Sequence, residues 1–214
     1  MSRLRSDRQR WLPIALMALA ILVLAVSGID PYDRLTWWLE VAPVLMGFVA
    51  LAATWWRFPL TDLLYGLLFL HALILVVGGH YTYARVPLGF AVQDLLDLAR
   101  NPYDRLGHFA QGFIPAILAR EILLRRSPLE PGRWLFTISV AFCLAFSAFY
   151  ELIEWWVAVF AGDGSTDFLA LQGDPWDTQW DMFSALIGAI VSLTLLGRWH
   201  DRQLEALRRG ADPC

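Results

Sequence analysis

The chain has 214 residues, 57% of them hydrophobic and 17% charged, and its 17 basic and 20 acidic side chains leave a net charge of −3. A soluble domain holds about 45–50% apolar and about 25% charged residues, so this composition excludes a soluble globular domain, a disordered chain and a collagen. The negative balance excludes binding to nucleic acid through a basic surface. With a mean hydropathy of +0.49 the chain reads as a polytopic membrane protein. Its two cysteines cannot form a multi-bridge framework: Cys143 lies in an apolar run, Cys214 closes the sequence, and no disulfide is expected.

Lipid offers the backbone no water partners, so helices are the expected spanning element. A hydrocarbon core of about 30 Å takes about 20 mostly apolar residues in that form. Six stretches qualify, at roughly 11–27, 37–56, 60–79, 104–124, 134–160 and 176–199. The fold class is therefore all-α, a bundle of about six transmembrane helices forming one domain over 11–199. A basic N-terminus, 1–10, and a tail, 200–214, flank it. Trp stands near many span ends: Trp11, Trp37, Trp38, Trp55, Trp56, Trp134, Trp155, Trp156, Trp176, Trp180 and Trp199. Interfacial depth suits an indole, half wet and half apolar.

Arg3, Arg5, Arg8 and Arg10 precede the first span, and Ala25-Val26-Ser27 resembles a signal-peptidase site. The apolar stretch is long for a signal peptide, so an uncleaved helix is expected. Arginine sets the orientation. One side collects the four N-terminal arginines, Arg57, Arg125, Arg126, Arg133, Arg198, Arg202, Arg208 and Arg209. On the other side Arg34, Arg85, Arg100 and Arg105 each have acids close by, and the loop at 161–178 is acidic. Both termini are thus expected in the cytoplasm. The loops at 28–36, 80–103 and 161–178 should face outward, in a bacterium the periplasm.

Three outward segments match: Asp30-Pro31-Tyr32-Asp33, Asn101-Pro102-Tyr103-Asp104 and Asp174-Pro175-Trp176-Asp177. Each precedes an even-numbered span. Asp or Asn is a favoured N-cap, Pro suits the first helical position, and an acid in the first turn answers the positive helix end. Either three helices use one cap, or three helix pairs descend from one ancestor around a pseudo-threefold axis. Directly before the second segment, 89–100 is amphipathic at helical spacing and too short to span. It is expected to lie in the outer interface, covering the polar groups next described.

Ionisable residues within spans are expensive and mark function by default. Span three ends near His80, with Tyr81 and Tyr83 beyond; span four opens with Asp104, His108 and Gln111; span five carries Tyr150, Glu151 and Glu154; span six opens with Asp177 and Asp181. At about 1.5 Å per residue, Glu151 and Glu154 lie about 26 and 30 Å beyond Trp134, near the outer face. Asp104/His108 and Asp177/Asp181 are i,i+4 pairs and Glu151/Glu154 is i,i+3, so each pair occupies one helix face. These acids and the histidine are placed to meet. Such a group shares protons, pairs with Arg105 or binds a cation. A divalent cation fits the donor types, with carboxylates suiting magnesium, calcium or manganese and imidazole admitting zinc. In its absence Glu151 or Glu154 would act as acid or base with His108 as partner. The assigned roles are catalytic for Glu151, Glu154 and His108. Substrate binding falls to Asp104, Arg105, Gln111, Asp177 and His80, and metal ligation to Asp181, Glu151 and His108.

The bland readings are caps for Asp104 and Asp177 and an interfacial anchor for Glu154. His71, in mid-span, is expected to make a helix–helix hydrogen bond. Glu40 occupies in the first repeat the place of Gln111 in the second. Arg120, beside Glu121, is expected to snorkel at the cytoplasmic end. The 162–167 stretch, Gly-Asp-Gly-Ser-Thr-Asp, lacks EF-hand spacing and reads as a polar turn. No phosphate-binding Gly loop or nucleophile elbow occurs.

The motifs at 103–109 and 111–113, Arg120-Glu121, Tyr150-Glu151 with Glu154-Trp155, and Gln172-Gly173-Asp174 with Trp176-Asp177, Gln179 and Asp181-Met182 resemble the YjdF-type bacterial inner-membrane proteins. The likeness runs from span two to span six. It implies a multi-pass inner-membrane protein and brings no activity with it. Asp104-Arg105, His108, Glu151 and Asp177/Asp181 are also similar, more weakly, to the order of groups in VanZ-like membrane proteins, with Arg105 in place of a Lys. Three functions stay open: an envelope enzyme or binder acting on a lipid-linked or polar periplasmic small molecule, a proton- or cation-coupled transporter, and a structural assembly factor. The lipid bilayer is the expected partner, and nucleic acid is not.

Overall fold

The computed structural model describes residues 7–161 and 172–211. They form seven α-helices, one 3-10 turn and no strand: α1 Asp7–Ser27, α2 Arg34–Thr54, α3 Asp62–Tyr81, the turn Tyr83–Arg85, α4 Pro87–Leu96, α5 Tyr103–Arg126, α6 Arg133–Ala161 and α7 Asp177–Ala211. All six expected spans fall on helices. Four of them, α2, α3, α6 and α7, are long and apolar enough to cross a membrane by length and composition. The apolar part of α1, Trp11–Ser27, is shorter. α5 carries Asp104, Arg105, Arg120, Glu121, Arg125 and Arg126.

The polar α5 is tolerated because it occupies the middle of the bundle, packed on α3, α6 and α7. Small residues bring it close to α7. A Cβ on Gly112 would collide with the Ala185 carbonyl oxygen, and one on Gly188 with the Phe109 carbonyl oxygen. Helices in lipid associate by such close packing, since burial of apolar surface offers no gain there. Leu64, Ala116, Ile117, Cys143 and Ala189 join α3, α5, α6 and α7 in one core. Leu24, Trp37, Val41, Val44 and Val76 join α1, α2 and α3 in another.

The outer surface is apolar. Large side chains such as Val49, Phe160 and Leu195 stand mostly exposed, as do all the tryptophans except Trp37 and Trp55. Trp37 is drawn inward because its indole N–H donates to Ser27 Oγ at 3.0 Å.

The helix starts depart from the expected common cap. α2 is capped by Asp33, which accepts from the Thr36 N–H at 2.7 Å, and Asp30 takes φ 50° instead. Pro102 occupies the N-cap of α5. Asn101 and Asp174 do act alike, each accepting from the backbone N–H two residues on, at 3.0 and 2.9 Å. Two of the three segments thus use one turn and the first uses another.

Two other boundaries differ from expectation. α4 stops at Leu96 because Asp97 turns left-handed at φ 50°, which leaves Arg100 off the helix. Leu88, Phe90, Leu95 and Leu96 of this segment are exposed. The stretch at 200–211 continues α7 instead of forming a tail: His200 and Leu204 are buried, and the Leu63 N–H donates to Gln203 at 2.8 Å. The 162–167 turn, the first basic residues and Cys214 lie outside the described residues.

Candidate functional site

At one end of the bundle, α5, α6 and α7 bring their polar residues together. One ligand atom each from Asp104, His108 and Asp181 lies within 4.8 Å of the others. His108 Nε2 stands 3.8 Å from Asp104 and 3.7 Å from Glu151, beyond hydrogen-bond contact. On the other ring edge, His108 Nδ1 donates to Gln111 Oε1 at 3.1 Å. An amide oxygen only accepts, so Nδ1 carries a proton and Nε2 is the ring edge that faces the acids. Glu151 and Asp181 are 7% and 3% exposed, and Glu151 Oε1 and Asp181 Oδ1 have no hydrogen-bond partner among the described residues. Buried polar atoms are ordinarily paired, and these two are not.

Above this group, Arg100 forms a short ion pair with Asp177 and lies 3.3 Å from Asp104 and 3.8 Å from Asp174. Burial disfavours its charge, but the Asp177 hydrogen bond and the surrounding acids outweigh this, and its pKa is raised. The chain leading into α5 is held by Asn101. Its Nδ2 donates to the Val86 carbonyl at 3.0 Å, and its backbone exchanges two 3.0 Å hydrogen bonds with the Gln172 amide.

Beside the group opens a narrow cleft of ≈ 40 Å³, whose polar lining is Glu40, Tyr83, Asp104, His108, Gln111, Tyr150 and Glu154. Pro43, Leu75, Gly107, Phe146 and His71 form the remainder. Tyr150 donates to Glu40 at 3.4 Å. Tyr83 enters through a slot: a Cβ on Gly78 or Gly107 would strike its ring. The preceding residue, buried Thr82, takes φ 60° and ψ 142°, a conformation that is strained for a β-branched side chain. Burial, then the neighbouring Glu40 and Tyr150, push the Tyr83 phenol well above its ordinary pKa, so it remains an O–H donor.

Several expected residues lie elsewhere. Arg105 pairs with Asp174 at 2.7 Å and lies over the Trp180 ring, outside the cleft wall. His80 Nδ1 is 2.8 Å from the Ser27 carbonyl, at the α1–α3 junction. Asp177 is committed to Arg100. No α4 residue lines the cleft, so that helix does not cover it. His71 lines the cleft, and its Nε2 has no hydrogen-bond partner among the described residues, in place of the expected helix–helix bond. Glu40 joins the cleft together with Gln111, whose place it holds in the first repeat, although the sequence assigns it no role.

A second polar network sits at the opposite end. Fully buried Glu121 accepts from Thr61 Oγ at 2.8 Å, Arg125 at 2.7 Å and His200 Nε2 at 3.0 Å. Arg120 donates to His200 Nδ1 at 2.8 Å and to Asp201 at 2.7 Å, instead of snorkelling outward. This network answers itself. From His108 to Glu121 is thirteen positions, about 20 Å along α5, and buried Ile114, Ala116 and Ile117 lie between.

A central polar helix, apolar outer faces and a recessed acid–imidazole cleft define a helical integral membrane protein with a polar site near one end. Residues 12–202 match the family described as predicted membrane protein (DUF2238), and the chain belongs to it. It is 55% identical over 183 residues to inner membrane protein YjdF of Escherichia coli (strain K12), a match covering 86% of this chain and 88% of that protein. No solved structure matches it significantly.

Proposed function

We propose that the protein is a six-span inner-membrane protein, with both termini cytoplasmic, whose cleft takes the polar group of a lipid-linked substrate from the outer leaflet. Glu151, Glu154 and His108 serve as the acid–base groups, and Asp104 and Gln111 orient the substrate. The observation that carries this reading is the cleft itself: carboxylates, phenols and an imidazole on one wall, Pro43, Leu75 and Phe146 on the other. No arginine lines it. Its acceptor-rich wall suits a head that donates hydrogen bonds, a hydroxyl or an amine, and its apolar wall suits a chain. Arg105 and His80 act by holding the surrounding segments.

The test is lipid retention. Protein in nanodiscs of bacterial lipid, extracted and analysed by native mass spectrometry, is expected to keep a discrete lipid-linked species. Glu154→Gln and Tyr150→Phe should reduce its retention about tenfold, the effect of about 1.4 kcal/mol. Identical lipid profiles in the wild type and both variants would overturn the reading.

A transporter needs a polar path between the two ends. The Glu121–His200 network supplies polar groups at the far end. Those groups are saturated by one another, and the apolar layer of α5 separates them from the cleft. This favours a binding or catalytic role over transport.

A further inference from the structure

We propose that Asp104, His108 and Asp181, joined by Glu151, hold one divalent first-row cation, of the manganese or zinc kind, as a resident ion beside the cleft, whose wall Asp104 and His108 share. The inference rests on the reading of the cleft as the functional site; with Glu151 and His108 on the ion, the acid–base role there falls to Glu154. Three features of the geometry lead to it.

The donors lie close together: one ligand atom each of Asp104, His108 and Asp181 falls within 4.8 Å of the others, and Glu151 reaches the same imidazole. Ligand atoms about 2.1 Å from an ion stand about 3.0 Å apart at right angles and about 3.4 Å apart in a tetrahedron. The separations of 3.7 and 3.8 Å around His108 Nε2 lie a few tenths of an ångström above that range, within the reach of small side-chain rotations. They are too wide for hydrogen bonds, so neither acid engages His108 Nε2 at contact distance.

The two unpartnered oxygens are the second feature. Glu151 Oε1 and Asp181 Oδ1 are buried beside the same imidazole without a partner among the described residues. Arginine does not answer them. Arg100 is already divided among Asp177, Asp104 and Asp174, and among the described residues no arginine lies within ion-pair distance of Asp181 or Glu151. A divalent ion would satisfy both oxygens and offset the local excess of negative charge.

Third, the ring is already set as a ligand. A metal-bound histidine usually gives its second N–H to an oxygen acceptor, which fixes tautomer and orientation. Gln111 Oε1 does this at 3.1 Å. One imidazole among three carboxylates is a mixed donor set, so manganese, iron or zinc suits it better than magnesium or calcium. The Glu121–His200 pair, by contrast, has both ring nitrogens and the carboxylate engaged by protein groups, and it is not an ion site.

The experiment uses the purified full-length protein, stripped with chelator and then equilibrated with Mn²⁺, Zn²⁺, Mg²⁺ or Ca²⁺. Elemental analysis after gel filtration should find about one Mn²⁺ or Zn²⁺ per chain. The Mn²⁺ form should show ¹⁴N coupling from one imidazole in electron spin-echo spectra. His108→Gln and Asp181→Asn should abolish retention. Gln111→Leu, which leaves every ligand in place, should weaken Mn²⁺ binding 10–100-fold, the range for loss of an outer-shell partner. Glu205→Gln, at the far end of α7, should change nothing. Absence of stoichiometric binding by any of the four ions, absence of nitrogen coupling, or unchanged binding in the folded Gln111→Leu protein would overturn the inference. None of these readouts involves a substrate, so an ion-free protein that still retained its lipid would refute the ion and leave the cleft reading standing.

Discussion

Replacing Glu121 by alanine removes the acceptor on which one end of the bundle converges. Four donors reach it: the Thr61 N–H at 3.2 and 3.3 Å to its two oxygens, Thr61 Oγ at 2.8 Å, Arg125 at 2.7 Å and His200 Nε2 at 3.0 Å. They come from the start of α3, from α5 itself and from α7. Glu121 and His200 are 0% exposed, so water cannot substitute freely. Breaking a buried ion pair by removing one member costs about 3–5 kcal/mol, and Glu121→Ala should lose stability in that range. Glu121→Gln keeps the volume and one acceptor oxygen and should lose about 1.5–3 kcal/mol, the scale of a hydrogen bond to a charged group. The assay is unfolding of the purified protein in mixed micelles by titrated SDS. A double-mutant cycle with Thr61→Val should give a coupling of about 0.5–3 kcal/mol. A loss below about 1 kcal/mol for Glu121→Ala, or zero coupling to Thr61, would refute the reasoning that this network clamps α3, α5 and α7.

Gly112→Val should drive α5 from α7, because its side chain meets the Ala185 backbone; a loss of about 1–3 kcal/mol or more in the same assay is expected, whereas Gly47→Ala, with open space around it, should be silent. Gly107→Ala intrudes on the Tyr83 ring and should quench lipid retention in the cleft while sparing most of the stability, read by native mass spectrometry beside the melt. In a Cys214→Ser background, Leu95→Cys should react with an impermeant maleimide added to intact cells and Glu130→Cys only after lysis; the reverse pattern would invert the assigned orientation.

The spans were legible because apolar runs of membrane length are rare in any other setting. α5 was legible for a different reason: its charges cluster at the two ends, with Gly112, Ile114, Ala116 and Ile117 between. The three helices that hold the acid–imidazole group could be aligned in depth from Trp134 and from the i,i+4 pairs, since a helix has a fixed rise and a fixed face. What failed was whatever depends on a neighbour's identity. Glu40 stands alone on an apolar helix, and only the approach of Tyr150 and Tyr83 makes it part of a wall. Gly78 and Gly107 look like ordinary helix glycines until the Tyr83 ring is known to lie between them. Arg105 was the obvious partner for the acids, yet Arg100 takes that place, because the left-handed turn at Asp97 ends α4 early and the loop carries Arg100 inward. His200 fell just past the last apolar residues and read as tail. The length of α7 is set by what it packs against.

The meeting of α5 with α7 at the acid–imidazole group is tested most directly by building a thiol pair into it. In Asp104→Cys/Asp181→Cys, with His108 intact and Cys214 replaced by Ser, the two thiols and the imidazole form a two-sulfur, one-nitrogen ligand set. Micromolar Cd²⁺ should then protect both thiols from alkylation in native membranes, neither single variant should be protected, and adding His108→Ala to the pair should weaken the protection. Equal alkylation of the double and single variants, with and without Cd²⁺, would contradict the convergence.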